Sequence, residues 1–286
     1  MSSITGRIET AHREQELRIA YTPDSDDAFN YYAWEHGRVR LDGYRVRFVR
    51  DCIIGLNRLA AEDGAEVVGI SSAFYPRVAD RYWILGVGNS IGRGYGPVLV
   101  ARDACKPQEL AGKRIAVGGM PTTGGALALM YCPKAKLVEM RYDRIADAVA
   151  SGDVDAGVMI HEELLFFPQK GLQRVCDLGG AWCEDTGLPL PVGLNVVSRR
   201  VGRDLAKRIA ATCRASLRWG RSHFDEAFAF ASRFGRGCAQ EHIDMFSNSD
   251  TEYMPDDVRA ALPVMFERVA ELRIGPRVAD FEVIDA

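Results

Sequence analysis

Four polar clusters follow short apolar runs in this sequence, and each offers a different chemistry. Thr22-Pro23-Asp24-Ser25-Asp26-Asp27 carries three carboxylates in close succession. Asp24, Asp26 and Asp27 can contact ligand hydroxyls or hold a cation, and at least one is expected to cap the next helix, a position where Asp is favoured. Ser71 and Ser72 supply two adjacent hydroxyls. The run Gly118-Gly119-Met120-Pro121-Thr122-Thr123-Gly124-Gly125 joins hydroxyls to glycines that let the backbone approach a ligand. A helix starting there offers free N–H groups and a positive dipole end, which suits a carboxylate or another oxyanion. An N-cap at Thr122 with turn glycines explains the same residues without a ligand.

His161 is the candidate acid/base group. It ends the apolar run Ala156–Ile160 and precedes Glu162 and Glu163. Imidazole titrates near neutral pH, so it can accept a proton from carbon or oxygen. The competing role is a ring satisfied by a backbone partner at a strand end, and position alone favours that role. His12 lies in a polar leader, while His36, His223 and His242 fall on or near helices, where solvated or packing roles are expected.

Several motifs fail. The glycine-rich loop is followed by no Gly-Lys-Ser/Thr, and it is not G-x-G-x-x-G. His161-Glu162 does not continue to H-E-x-x-H, because position 165 is Leu. The seven cysteines are scattered with no C-x-x-C pair, as in reduced cytoplasmic thiols rather than a disulfide framework or zinc site. No metal and no cofactor is expected.

The elements that must position these clusters alternate. Strands are predicted at 17–21, 44–49, 67–70 and 83–87, with helices over 26–36 and 53–62 and helical turns at 73–79. The stripe Phe29, Tyr32, Ala33 reads as core. A second βα unit starts near Val98, with strands at 114–117, 137–140 and 156–160, helices at 123–131 and 145–151, and extended segments at 172–178 and 194–197. From Arg203 the pattern is helical: 205–222, 225–234, 239–246 and 258–272. The alternation predicts mostly parallel sheets covered by helices. A chain of 286 residues exceeds one ordinary core. The expected division is a discontinuous first α/β lobe, 1–99 with 196–286, and an inserted second lobe, 100–195. Its crossings are placed near 98–101 and 194–198, with the C-terminal helices packed on the first lobe. A hinge of that kind puts a ligand cleft between two lobes, beyond the carboxyl ends of the strands.

Charge and hydropathy narrow the partners. The net charge of -3 excludes an obvious nucleic-acid surface, and no apolar run approaches a membrane span. The first sixteen residues are polar, read as a loosely attached leader, and lack the apolar core of a secretory signal. A cytoplasmic protein with a small organic ligand is expected.

Several segments, taken in order, carry a resemblance. They are Asp51…Gly55-Leu56-Asn57, Ser71-Ser72-Ala73-Phe74-Tyr75, Gly92-Arg93-Gly94-Tyr95-Gly96-Pro97, Pro121-Thr122-Thr123, Arg141-Tyr142-Asp143-Arg144-Ile145, Val154 to Glu162, and Asp185 to Pro191. The sequence resembles the futalosine-route menaquinone family that contains 1,4-dihydroxy-6-naphthoate synthase and, more broadly, chorismate dehydratase. The resemblance implies a two-lobed fold of the periplasmic-binding-protein type II class and a lyase acting on cyclic dehypoxanthine futalosine. It implies that His161 is the proton acceptor and that Ser71, Thr123 and Gly124 line the substrate pocket. Three departures stand out. The family opening Ser-Pro-Cys-Pro-Asn-Asp-Thr-Phe is here Thr22 to Phe29, with two extra acids. A frequent lysine is Gly69, and a frequent arginine is Leu164. A non-catalytic solute-binding protein with a less acidic ligand is the alternative to the lyase.

Overall fold

The computed structural model describes residues 15–285. Twelve strands run among them: β1 Gln15–Tyr21, β2 Tyr44–Arg50, β3 Val67–Ser71, β4 Tyr82–Leu85, β5 Ser90–Gly92, β6 Val98–Ala101, β7 Arg114–Val117, β8 Lys136–Glu139, β9 Ala156–Met159, β10 Gln173–Asp177, β11 Leu190–Ser198 and β12 Val283–Ile284. The α-helices are α1 Ser25–Glu35, α2 Ile53–Ala61, α3 Thr123–Tyr131, α4 Tyr142–Ser151, α5 Glu163–Phe166, α6 Leu178–Thr186, α7 Arg203–Ser222, α8 Phe224–Ala231, α9 Ala239–Phe246, α10 Ser249–Glu252 and α11 Asp256–Glu271.

The strands form two sheets. The first has the order β12-β4-β11-β3-β1-β2, with β5 also paired to β11; the second is β10-β6-β9-β7-β8. Both sheets are mixed rather than mostly parallel. β1 pairs in parallel with β2 and β3, but β11 runs antiparallel to β3, β4 and β5. In the second sheet β7 is parallel to β8 and β9, while β6 is antiparallel to β9 and β10. The cause is connectivity: β11 brings the chain back from the second sheet, so it enters the first in the opposite direction.

The changeover between sheets falls earlier than the sequence suggests. Residues 98–101 are β6, already paired in the second sheet, and 194–198 belong to β11 in the first. The chain therefore crosses through Arg93–Pro97 and returns through α6 and the turn before Leu190. Gly92 and Gly179 let these passages touch, because a Cβ on either would collide with the Tyr95 carbonyl. Of the polar leader, Gln15 and Glu16 pair with Tyr44 and Arg45 in β1–β2; the remainder lies outside the described residues.

The helices cover these sheets as their apolar spacing dictates. On α7 the buried Ala206, Ile209, Ala210, Cys213, Leu217 and Gly220 form one stripe. Helix α1 is buried from Ser25 to Trp34, enclosed by α7, α8 and α9 on its outer side. Phe29, Tyr32 and Ala33 are core, as their spacing predicts. The C-terminal helices pack mainly against α1 and the first sheet. Helix α9 also reaches the second sheet: Phe246 at its end joins the cluster of Val98, Val100, Tyr142 and Met159 there. Among the described residues no helix is long and apolar enough to cross a membrane.

Candidate functional site

The carboxyl ends of β1, β3, β7 and β9 converge between the two sheets. They enclose a cavity that leaves about 90 Å³ for the centres of water molecules. Thr22, Asp24, Asp26, Asp27 and Ser71 line it from the first sheet, and Thr122, Thr123, Gly124, His161 and Leu164 from the second. Ser72 stands behind Ser71 and is not among the lining residues; it is fully buried at the start of a 3₁₀ turn.

The three aspartates, which the sequence places at the rim of the cleft, form its floor. Asp24, Asp26 and Asp27 are all buried, and a carboxylate oxygen of each lies within 4.8 Å of the others, close enough to share a cation or protons. Thr22 organises them. Its N–H and hydroxyl reach Asp27 Oδ2 at 3.1 and 2.6 Å, and the hydroxyl is also 2.8 Å from Asp24 Oδ2. Burial raises the Asp24 carboxyl well above the usual range, and the charges of Asp27 and Glu162 add to the rise. Burial and then Asp24 and Asp27 do the same to Asp26. At Asp27 burial prevails over the two Thr22 bonds. The carboxyls therefore hold protons where exposed ones would not.

His161 faces this floor from the other sheet. Its Nδ1 is 2.6 Å from Asp24 Oδ2, and its Nε2 is buried with no hydrogen-bond partner among the described residues. The edge of Tyr142 packs against the ring at 4.8 Å. Burial lowers its pKa, against the pull of Glu162, Asp26 and Asp27. The strand-end backbone partner expected as the competing role is not what holds the ring; Asp24 does.

Glu162 and His242 complete a buried network. Glu162 accepts from the N–H and hydroxyl of Ser25 at 2.8 and 2.7 Å. Burial opposes its charge, but His242 and the two Ser25 bonds outweigh this and hold it below the usual range. His242 Nδ1 lies 3.4 Å from Asp26 Oδ1 and 3.6 Å from Glu162 Oε1. Burial pushes its imidazole down to about 4, against Glu162 and with His161.

The glycine-rich loop is organised from inside the protein. Thr122 caps α3: its hydroxyl accepts from Gly125 N–H at 3.1 Å and donates to Gly119 O at 2.8 Å. The Thr123 hydroxyl donates to Val192 O at 2.6 Å, tying α3 to β11. What this loop offers a ligand is therefore chiefly the N–H groups of Thr123 and Gly124 at the start of α3, since that of Gly125 is taken by Thr122.

Two kinds of residue escaped the sequence reading. Asn195 and its neighbours line the cavity because β11 is a full strand there. Asn195 donates to Gly88 O at 2.7 Å and so shapes the opposite wall. His242 lines it because α9 lies across the cleft; the stripe Ala239, His242, Ile243, Phe246 is the signal that marks its buried face. Gly69 and Leu164 both line the cavity, and no lysine or arginine does so among the described residues.

Two sheets enclosing a cleft, with acids and hydroxyls set among apolar walls, are the arrangement of the periplasmic-binding-protein fold. The alkanesulfonate-binding protein SsuA of Xanthomonas axonopodis pv. citri, bound to MOPS, superposes with a TM-score of 0.71 at 14% identity, covering 91% of this chain and 94% of that one. A crystal structure of a protein from Archaeoglobus fulgidus is nearer, with a TM-score of 0.85 at 38% identity over 93% of this chain and 99% of that one. The sequence matches the menaquinone biosynthesis family over residues 17–271, and the chain belongs to that family. It is 37% identical to 1,4-dihydroxy-6-naphthoate synthase of Thermus thermophilus, over 82% of this chain and 87% of the relative. Against the enzyme of that name from Streptomyces coelicolor the identity is 31%, over 91% and 95%.

Proposed function

We propose that this chain is a lyase of the 1,4-dihydroxy-6-naphthoate synthase type. It acts on cyclic dehypoxanthine futalosine or a close relative, with His161 as general base. One observation carries the assignment: His161 sits on the cavity with Nδ1 engaged by Asp24 and Nε2 without a partner. A neutral imidazole held this way takes a proton at Nε2 alone, and its lowered pKa keeps it neutral at physiological pH. Ser71, Gly124 and the first turn of α3 contact the substrate, and the aspartates contact its hydroxyls. The curated relatives support the reaction class. The seven cysteines, all free, agree with a cytoplasmic location.

A second reading rests on Gly69 and Leu164, which supply no cation to meet a ligand carboxylate. On that reading the chain binds a less acidic ligand and turns nothing over. His161→Asn separates the two. The lyase reading expects kcat to fall by about 10²–10⁴ with binding retained. A native protein that forms no product from cyclic dehypoxanthine futalosine but is stabilised in thermal unfolding by a less acidic ligand favours the binder.

A further inference from the structure

Residues 161–162 and 24–25 meet across the cleft through two adjacent links. The first is His161 Nδ1 to Asp24 Oδ2 at 2.6 Å, and the second is Ser25 to Glu162 by two hydrogen bonds. The Asp24 oxygen is oriented from its own side by the Thr22 hydroxyl at 2.8 Å. The His161 backbone is in the left-handed region at φ 53°, which a non-glycine residue keeps only where its surroundings over-determine it. Tyr142 packs against the ring at a steep angle, and the Tyr142 hydroxyl is itself fixed by Arg236 at 2.8 Å. Every contact on the ring thus leaves Nε2 as the free nitrogen.

We propose that Asp24 is a positioning residue for His161: it accepts the Nδ1 proton across the cleft, selects the Nδ1–H tautomer and presents Nε2 as the base. The inference rests on the reading of His161 as general base, but the tautomer is a property of the resting protein. The family pattern has cysteine at the position of Asp24, so the resemblance does not supply this role. An orienting carboxylate on a catalytic histidine acts through geometry and tautomer, and through stabilising the imidazolium once it forms. Because Asp24, beyond the end of β1, meets His161, two residues beyond the end of β9, the base is assembled only when the two sheets are closed on each other.

The direct test is nitrogen NMR of the imidazoles in the full-length native protein, with the His161 signal assigned by comparison with His161→Asn. The expected result is a protonated Nδ1 and an unprotonated Nε2. An Nε2–H signal overturns the proposal, because Asp24 would then be donating its proton to Nδ1. This measurement decides the matter whether or not the protein turns over any substrate, so it fails independently of the lyase reading. In an active protein, Asp24→Asn is expected to lower kcat by about tenfold or more while KM stays within about twofold. The acid limb of its pH profile moves to lower pH, since the imidazolium loses its nearest carboxylate. Asp26, Asp27, Glu162, His242, Tyr142 and Arg236 also face the ring and are left in place. Equal drops in all variants of the floor, with the tautomer unchanged in Asp24→Asn, would mean a merely structural aspartate.

Discussion

Replacing His242 with Asn should remove an acid sensitivity built into the floor of the cleft. His242 is 2% exposed, and burial lowers its imidazole from the ordinary 6.5 to about 4. An unfolded chain binds a proton at this residue below pH 6.5, whereas the folded chain resists it until about pH 4. Stability from this group is therefore complete above the unfolded value and is lost as pH falls between the two. At about 1.4 kcal/mol per pH unit, the loss is on the order of 3 kcal/mol. The overall stability curve does not isolate it, because the neighbouring aspartates act with the opposite sign. Their raised pKa values let the folded chain bind protons that the unfolded chain releases. The informative quantity is the difference between native protein and His242→Asn, measured by urea unfolding at steps from pH 7.5 to 4.5. The native protein should lose most of that amount relative to the variant on acidification. A difference that stays flat, or moves in favour of the native protein at low pH, refutes the reasoning.

Other substitutions probe the frame of the site. Gly179→Ala drives a Cβ into the Tyr95 backbone, which has no flexible end to yield, so thermal unfolding should show a loss of about 3 kcal/mol. Thr122→Ala removes the cap of α3 and should cost about 1 kcal/mol by denaturant titration. Thr123→Val leaves the Val192 carbonyl without its hydroxyl donor and shifts the start of α3. It should cost about 1–2 kcal/mol and raise KM while kcat holds, as read from melting curves and steady-state kinetics.

Much of this architecture is written in local pattern. The alternation of Leu17, Ile19 and Tyr21 marks β1, and the polar residues after β1, β3, β7 and β9 converge because parallel strands point their carboxyl ends to one side. What local pattern does not carry is the direction of return. Pro189 and Pro191 restrict the backbone and pattern poorly with a strand, yet Pro191 sits in β11, where a bulge between Pro191 and Gly193 relieves the pairing. That single strand makes the first sheet mixed and brings Asn195 to the cavity. The aspartates read as a rim because nothing local shows that α9 and the second sheet close over them. His242 joins the floor by the same long-range packing, more than two hundred residues from Asp26 in sequence.

The central claim is that this cleft, lined by no lysine or arginine among the described residues, performs the family's lyase reaction with His161 as base. It is tested most directly by incubating the purified full-length protein, at concentrations stoichiometric with substrate, with cyclic dehypoxanthine futalosine and following formation of 1,4-dihydroxy-6-naphthoate. Product should accumulate with native protein, and its formation should slow by about 10²–10⁴ with His161→Asn. No product from the native protein, or product formed equally fast by the variant, contradicts the claim.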